Sequence, residues 1–361
     1  MSYKQLKSIE IIGYKSIRHQ KIEINNMNVL IGQNGAGKSN FISTFKFLRN
    51  IIEGRLKNTS MKAGAENLLY YGSKTTRSIY LGLDFNPNFY DITLHPSEND
   101  SLFVEREHCG FLGSGYKEPL LESIAINEEE SQLAKYTKRK AIAEHVYGVL
   151  KNWRVYHFHD TTETAGVKKY ASMADSRFLF EDASNIAPFL YVMKNAEEQY
   201  YERIVKTIQL VIPFFKDFVL EPNPLNEDNI RLEWCDNFSD RTFSANQLSD
   251  GSLRFICMAT LLLQAKLPLV ILLDEPELGL HPTAITILAG LLKKASKRSQ
   301  VIVSTQSVSL VNEFDAEDII VVEKDNAETV FKRLNPELLE TWLDNYSLGD
   351  LWDKNVIGGK P

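Results

Sequence analysis

Cysteine is scarce in this chain, with 3 in 361 residues, at positions 109, 235 and 257. The number is odd and no Cys-x-x-Cys pair occurs, so neither a disulfide framework nor a zinc ribbon is expected. Scattered thiols suit a reducing compartment, and the expected location is cytoplasmic. No apolar run approaches the ~18 residues that would suggest a membrane-spanning helix, so no membrane partner is expected. The start, MSYKQLKSIEII, has neither a long apolar region nor a small-residue cleavage site, and no leader is expected. Positive charge is not in excess: 41 Lys and Arg against 47 Asp and Glu give a net charge of −6. That excludes a wholly basic nucleic-acid coat and leaves room for a local basic patch. Internal repeats, low-complexity tracts and sustained heptads are also missing, which excludes solenoids and long coiled coils. The remaining composition, 43% apolar and 24% charged, is that of an ordinary globular protein, and the length allows one large domain or two medium ones.

Strands are expected at 5–12, 21–24 and 28–31, the last an apolar run suited to burial on both faces. A Gly-rich turn follows, and then a helix with Phe41, Phe45, Leu48 and Ile52 at helical spacing. Short segments at 78–85, 91–94, 102–107 and 120–126, separated by Pro, Gly and Asn, predict an antiparallel β arm. From about residue 128 the character changes. A helix is expected over 131–153, a short strand over 154–158, two helices over 185–212, and strands near 215–220 and 230–234. Strand (269–273), helix (282–297), strand (301–304), helix (308–312) and strand (318–322) then alternate, the mark of a parallel α/β sheet. Two short helices are expected in the tail, 336–361.

Gly32-Gln33-Asn34-Gly35-Ala36-Gly37-Lys38-Ser39 matches G-x-x-x-x-G-K-[ST] at every fixed position, between an expected strand and an expected helix. Glycines let backbone N–H groups wrap phosphates, and the helix N-terminus adds its partial positive charge. Lys38 is expected to bridge the β- and γ-phosphates of ATP and Ser39 to ligate Mg²⁺. Val270-Ile271-Leu272-Leu273-Asp274-Glu275 then reads as a buried strand ending in two carboxylates. Asp274 is expected to hold the Mg²⁺ shell, and Glu275 to act as general base on the attacking water. Glu277 is read as a solvated loop acid.

Leu248-Ser249-Asp250-Gly251-Ser252 opens a helix just before the acidic strand. Ser249 is a natural N-cap and Gly251 permits close backbone approach. Either the loop is a cap and no more, or it is a second phosphate-binding element acting in trans on nucleotide held by another copy. The second reading implies a homodimer clamping ATP. Gln306, after the strand at 301–304, either touches the γ-phosphate and water or caps the next helix; an amide cannot titrate. His157 and His159 are expected on one face of a strand, with His159 and Asp160 as further candidates to sense Mg²⁺–ATP. His281-Pro282 is expected to start a helix. The cluster KYTKRK at 135–140 is either a solvated helix face or a DNA contact.

Taken together, the chain resembles ABC-type ATPases of the RecF/SMC branch, and within it the stand-alone bacterial "predicted ATPase" group related to the ATPase half of OLD-family nucleases. The residues that carry the resemblance are Ile12-Gly13-Tyr14-Lys15-Ser16-Ile17, the P-loop, Tyr156-His157-Phe158-His159-Asp160, Gln247-Leu248-Ser249-Asp250-Gly251, Asp274-Glu275-Pro276-Glu277-Leu278-Gly279-Leu280-His281-Pro282 and Ser347-Leu348-Gly349-Asp350-Leu351-Trp352. The resemblance implies an α/β fold: an ABC-type P-loop ATPase head with an antiparallel β arm and an inserted helical lobe. Its parts would be 1–127 (P-loop and β lobe), 128–266 (helical lobe with the signature loop) and 267–361 (acidic-strand half and tail), forming one composite domain. It also implies an ATP-driven dimer, with Lys15, Ser16 and Asn40 joining Gly32, Asn34, Gly35, Ala36, Gly37, Lys38 and Ser39 around the nucleotide. Two departures stand out. Gln306 replaces the switch histidine that many members carry, which points to slow hydrolysis, and the coiled coils of SMC proteins are missing. Only 55 residues follow Gln306, without a Glu followed by Asp-x-Asp, so no nuclease domain of the OLD type is expected there. The favoured function is a slow homodimeric ATPase that controls a separate effector protein in two-component antiphage defence. The alternative is a RecF-like ATPase that binds DNA in repair.

Overall fold

Alternating apolar residues in the first third of the chain build a six-stranded antiparallel sheet. Its strand order is Ile17–Glu23, Ser8–Tyr14, Ile79–Asp84, Asn88–Pro96, Leu102–Phe111 and Leu120–Glu128. This computed structural model describes residues 5–239 and 241–360; Met1 to Lys4, where no leader was expected, and Pro361 at the end of the tail lie outside them. Register aligns the buried face: Ile9 with Leu83 and Ile11 with Leu81 on one side, then Leu83 with Tyr90 and Leu81 with Ile92 on the other. All six are 0–2% exposed. Period-2 side-chain alternation fixes this register, since a slip of one residue would turn the whole row to water.

The chain divides into two compact units. The first comprises residues 1–154, 268–271 and 315–361; the second comprises 155–267 and 272–314. The division falls inside two strands, Trp153–Tyr156 and Val270–Asp274.

In the first unit the fully buried strand Met27–Ile31 pairs in parallel with Ile319–Asp325, which turns back on Glu328–Arg333. The helix Lys38–Ile52 buries Phe41, Phe45, Leu48 and Ile52. Phe41 packs on Phe331 and Phe45 on Trp153, each with ring centroids 5.2 Å apart. The helix expected over 131–153 is two helices, Leu133–Tyr136 and Ala141–Leu150, and Trp153 already belongs to a strand. The break is tertiary in origin: Glu122 on the β arm accepts the Ala143 N–H at 3.0 Å, starting the second helix afresh. The hairpin strand Glu328–Arg333 and the helix Leu56–Ala63 have no counterpart in the sequence reading. Near the end, the helix Leu348–Asp353 buries Leu351 and Trp352 completely, and Trp352 Nε1 donates to the Gly359 carbonyl.

The second unit holds the helices Ile186–Ala196 and Glu198–Val211, within the span where two were expected, and the helix Asp250–Leu263. A small antiparallel sheet orders Phe215–Val219, Glu233–Asp236 and Thr242–Ser244. The helix Pro282–Ser296, the strand Gln300–Thr305 and the short helix Val308–Val311 follow the acidic strand. His281 caps the first of these helices, with Pro282 at its first position.

Candidate functional site

The P-loop half lies in the first unit. Gly37 is the N-cap of the helix that Lys38 begins, with φ 119°. A Cβ there would fall 2.3 Å from Thr329 Oγ1, so both conformation and space demand glycine. Lys38 is buried, and its ammonium donates to the carbonyls of Gly32 and Gln33. Gln33, Asn34, Gly35 and Ser39 are exposed, leaving the loop's outer face open. A cavity of about 180 Å³ beside it is lined by Gln33, Asn34, Gly35, Glu323, Lys324 and Gly359.

Lys15 and Ser16 are tied to this loop's helix. Lys15 Nζ donates to Ser43 Oγ at 2.9 Å, and Asn40 Nδ2 donates to Ser16 Oγ at 2.7 Å. Lys15 has a positive φ of 50°, an uncommon conformation for a side chain-bearing residue, and burial pulls its pKa down. The Tyr14 hydroxyl lies 3.2 Å from Ser43 Oγ, and burial pushes the phenol up to about 12. Thr329 joins the group: its Oγ1 is 2.7 Å from Ser16 Oγ and 2.8 Å from the Ala36 carbonyl. Nothing local in the sequence around Thr329 signals this, because its partners are about 300 positions away.

The acidic half lies in the second unit. Ser304 Oγ donates to Asp274 Oδ1, and the Glu275 N–H donates to the Ser304 carbonyl at 2.9 Å. Glu275 has a φ of 42°, the kind of strained backbone that clusters at functional sites. Gln306 Nε2 donates to Glu275 Oε1. The helix after it is capped by Ser307, whose Oγ accepts from the Leu310 N–H at 3.2 Å. The cap reading of Gln306 is therefore replaced by a direct bond to the candidate base.

Glu277 is not a solvated loop acid. It is 8% exposed, and Thr305 Oγ1 donates to its Oε1. Burial raises its pKa, against the lowering effect of the Thr305 hydroxyl and of main-chain N–H groups. The sequence hid this because Asp-Glu-Pro-Glu reads as a polar turn, whereas the turn folds back against the neighbouring strand end.

In the signature loop, Ser249 is the N-cap of Asp250–Leu263 and accepts the Ser252 N–H at 3.2 Å. Ser249 and Asp250 are exposed and Leu248 is buried. Gly251 makes its close approach within this chain: a Cβ would sit 2.3 Å from the Gly279 carbonyl oxygen. Arg254 extends the contact, donating to the carbonyls of Leu278 and His159 at 2.9 Å each.

The strand expected to carry both histidines ends at Tyr156. His157 and His159 follow it in a loop, and the His157 N–H donates to the Glu181 carbonyl at 2.8 Å. His159 lines a small cavity with Tyr156, Arg254, Asp274 and Glu275. Asp160 is exposed and closes a local turn on Thr162, whose hydroxyl and N–H hold its pKa down.

The donor chemistry suits Mg²⁺, which takes hard oxygen ligands and binds through one or two carboxylates plus substrate phosphates. Ser39 in the first unit and Asp274 in the second are each hard oxygen donors of that kind. Among the described residues no group of three or more His, Cys, Asp or Glu could hold a metal ion.

Motif and fold define a P-loop domain with the fold of SMC heads. Two solved SMC heads share the fold across nearly the whole chain. One is an SmcHead bound to the C-winged helix domain of ScpA, with TM-score 0.60 and 16% identity, covering 92% of this chain and 99% of that one. The other is an Smc head domain with an extended coiled coil bound to the C-terminal domain of ScpA, derived from Pyrococcus furiosus, with TM-score 0.57 and 15% identity, covering 94% and 98%. No curated protein matches the sequence. The family model that matches residues 27–312 is described as "AAA domain, putative AbiEii toxin, Type IV TA system", and the chain belongs to that family. No helix among the described residues is long and apolar enough to cross a membrane.

Proposed function

We propose that the protein is a Mg²⁺-dependent ATPase, turning over slowly as a homodimer and controlling a separate effector, in the group related to OLD-type ATPases and in antiphage defence. The observation that carries the catalytic part is the Gln306 amide on the Glu275 carboxylate. An amide at that position orients the base and cannot take up a proton. It supports turnover driven by Glu275 alone, without a titrating histidine.

The roles follow from the chemistry of each group. The N–H groups from Gly32 to Ser39 and the Lys38 ammonium bind phosphate, and Lys15, Ser16 and Asn40 support that loop. Ser39 and Asp274 hold Mg²⁺, which when bound neutralises charge developing on the phosphates. Glu275 takes the proton of the attacking water. Leu248 to Ser252 acts across the dimer; the exposure of Ser249 and Asp250 supports this, since a loop meant for another chain's nucleotide has to face outward. His159 and Asp160 sense the metal, His159 being the better supported because it lines a cavity with Asp274 and Glu275. Control of a partner is supported by the family's toxin-system description and by the ScpA domains on the two SMC heads.

The experiment is ATP turnover and sizing of the full chain. Lys38→Ala should lose nucleotide binding. Glu275→Gln should lower turnover roughly 10²–10⁴-fold, the usual worth of a general base, and trap a dimer with ATP. A Glu275→Gln protein that turns over normally would sink the catalytic reading, and one that stays monomeric with ATP would sink the dimer. Salt-sensitive, ATP-dependent duplex binding would favour the DNA-repair alternative. In the 135–140 cluster Lys140 is folded back on the Ser123 carbonyl and the Tyr136 ring, while Lys135, Lys138 and Arg139 are exposed and are the cations such binding would use.

A further inference from the structure

We infer that Glu277 is a positioning residue for ATP hydrolysis, acting through the Thr305–Gln306 turn to set the Gln306 amide against the Glu275 carboxylate. The inference rests on the proposed role of Glu275 as base.

The argument begins with an oddity of burial. Glu275 is half-buried, while Glu277, two residues further on, is 92% buried, being 8% exposed. A carboxyl in such a place is costly unless its oxygens are satisfied. Only one is fully provided for: Thr305 Oγ1 donates to Oε1, whereas Oε2 has no hydrogen-bond partner among the described residues. A helix cap or an apolar side chain could close this turn at lower cost, so the carboxyl is better explained by what it holds.

What it holds is the turn that carries Gln306. Thr305 is completely buried, and its Oγ1 accepts the Ser307 N–H at 2.9 Å while donating to Glu277. Residues 305 and 307, on either side of Gln306, are thus both tied to one carboxyl, the first directly and the second through the Thr305 hydroxyl. From the same turn the Gln306 side chain reaches Glu275 Oε1. Glu275 and Glu277 therefore grip a single turn from two sides, one through the Gln306 side-chain amide and the other through the Thr305 hydroxyl. Glu277 touches neither substrate nor water in this scheme. Its effect passes through Gln306, and a displacement near 1 Å at a catalytic group can cost up to roughly 10²-fold in rate.

The test is steady-state ATP turnover of the full chain, with a fluorescent ATP analogue reporting nucleotide affinity. Glu277→Ala should lower kcat by roughly tenfold or more with an unchanged Kd for the analogue. Glu277→Gln, which keeps an acceptor for the Thr305 hydroxyl, should recover most of that loss. In a Gln306→Ala background the further change to Glu277→Ala should cost less than about twofold, because residues acting through one group are non-additive. Thr305→Val removes the hydroxyl at nearly constant volume and should repeat the Glu277→Ala effect; it carries the test if Glu277→Ala does not fold. Wild-type kcat in both Glu277→Ala and Thr305→Val, or full additivity with Gln306→Ala, overturns the inference. If those results appear while Glu275→Gln is inactive, only this inference fails. If Glu275→Gln turns over normally, the base assignment and this inference fall together.

Discussion

Replacing Gly251 by alanine should separate a close-packed loop contact from an ordinary helix N-terminus. The added Cβ would lie 2.3 Å from the Gly279 carbonyl oxygen, 3.2 Å from its carbon and 3.9 Å from Leu280 Cα. Real Cβ contacts essentially never fall below 3.0 Å, so the helix and the loop must part by at least 0.7 Å, the difference between 3.0 and 2.3. Every atom met belongs to backbone, so no rotamer change relieves it. Overpacking of this kind costs about 1–3 kcal/mol. At about 2–4 °C per kcal/mol for domains of a few hundred residues, the melting temperature should fall by roughly 2–12 °C. Gly290, on the exposed side of the helix Pro282–Ser296, supplies the control: a Cβ there meets nothing within 4 Å. Gly290→Ala should stabilise by about 0.5–1 kcal/mol through helix propensity, the opposite sign from the same chemical change. Because Gly251 contacts the loop that contains Glu277 and Leu278, Gly251→Ala should also depress turnover while leaving affinity for an ATP analogue nearly unchanged. Calorimetry and urea unfolding of the three proteins provide the measurement. A Gly251→Ala protein that melts at or above the wild-type temperature would refute the packing argument.

Glu107 is wholly buried in the β arm, accepting from Tyr90 at 2.9 Å and from the Gln132 N–H at 3.0 Å, and burial raises its pKa above the usual 4.5. The folded chain therefore holds this proton more tightly than the unfolded one. The resulting stability is fully present below about 4.5 and is lost as pH rises through the folded value. Urea unfolding between pH 4.5 and 7 should show a downward component in the wild type that Glu107→Gln lacks; equal slopes would contradict it. Trp352→Phe should cost about 1–3 kcal/mol by leaving the Gly359 carbonyl buried without its indole donor, and an unchanged urea midpoint would argue against that bond. In native protein a thiol reagent should label Cys235 first. Cys109 and Cys257 are buried, which pushes both thiols up, that of Cys257 to about 12. Rapid labelling of all three would mean that these cores open.

Much of the site was legible because its chemistry is local in sequence. G-x-x-x-x-G-K-S needs only eight neighbours, and the strand before it and the helix after it occur where the apolar pattern put them. The β arm was legible for the same reason, since alternation with period 2 is written residue by residue. Errors arose where distant groups decide. The helix expected at 131–153 breaks because Glu122, on another element, caps its second half. The hairpin Glu328–Arg333 went unread, although it brings Thr329 to Ser16 across 313 positions.

The sequence by itself determined the Gly-rich loop between strand and helix, the acidic strand, the Ser249 cap and the antiparallel arm, all features set by spacing within a dozen residues. Only the tertiary structure decided the partners. It gave Gln306 to Glu275 across 31 positions, buried Glu277 beneath the turn that carries Gln306, and set Gly251 on the Gly279 carbonyl. The physical reason is that a polar side chain in a loop has many equivalent satisfactions in sequence, and only one once neighbouring strand ends and helix termini exclude water from around it.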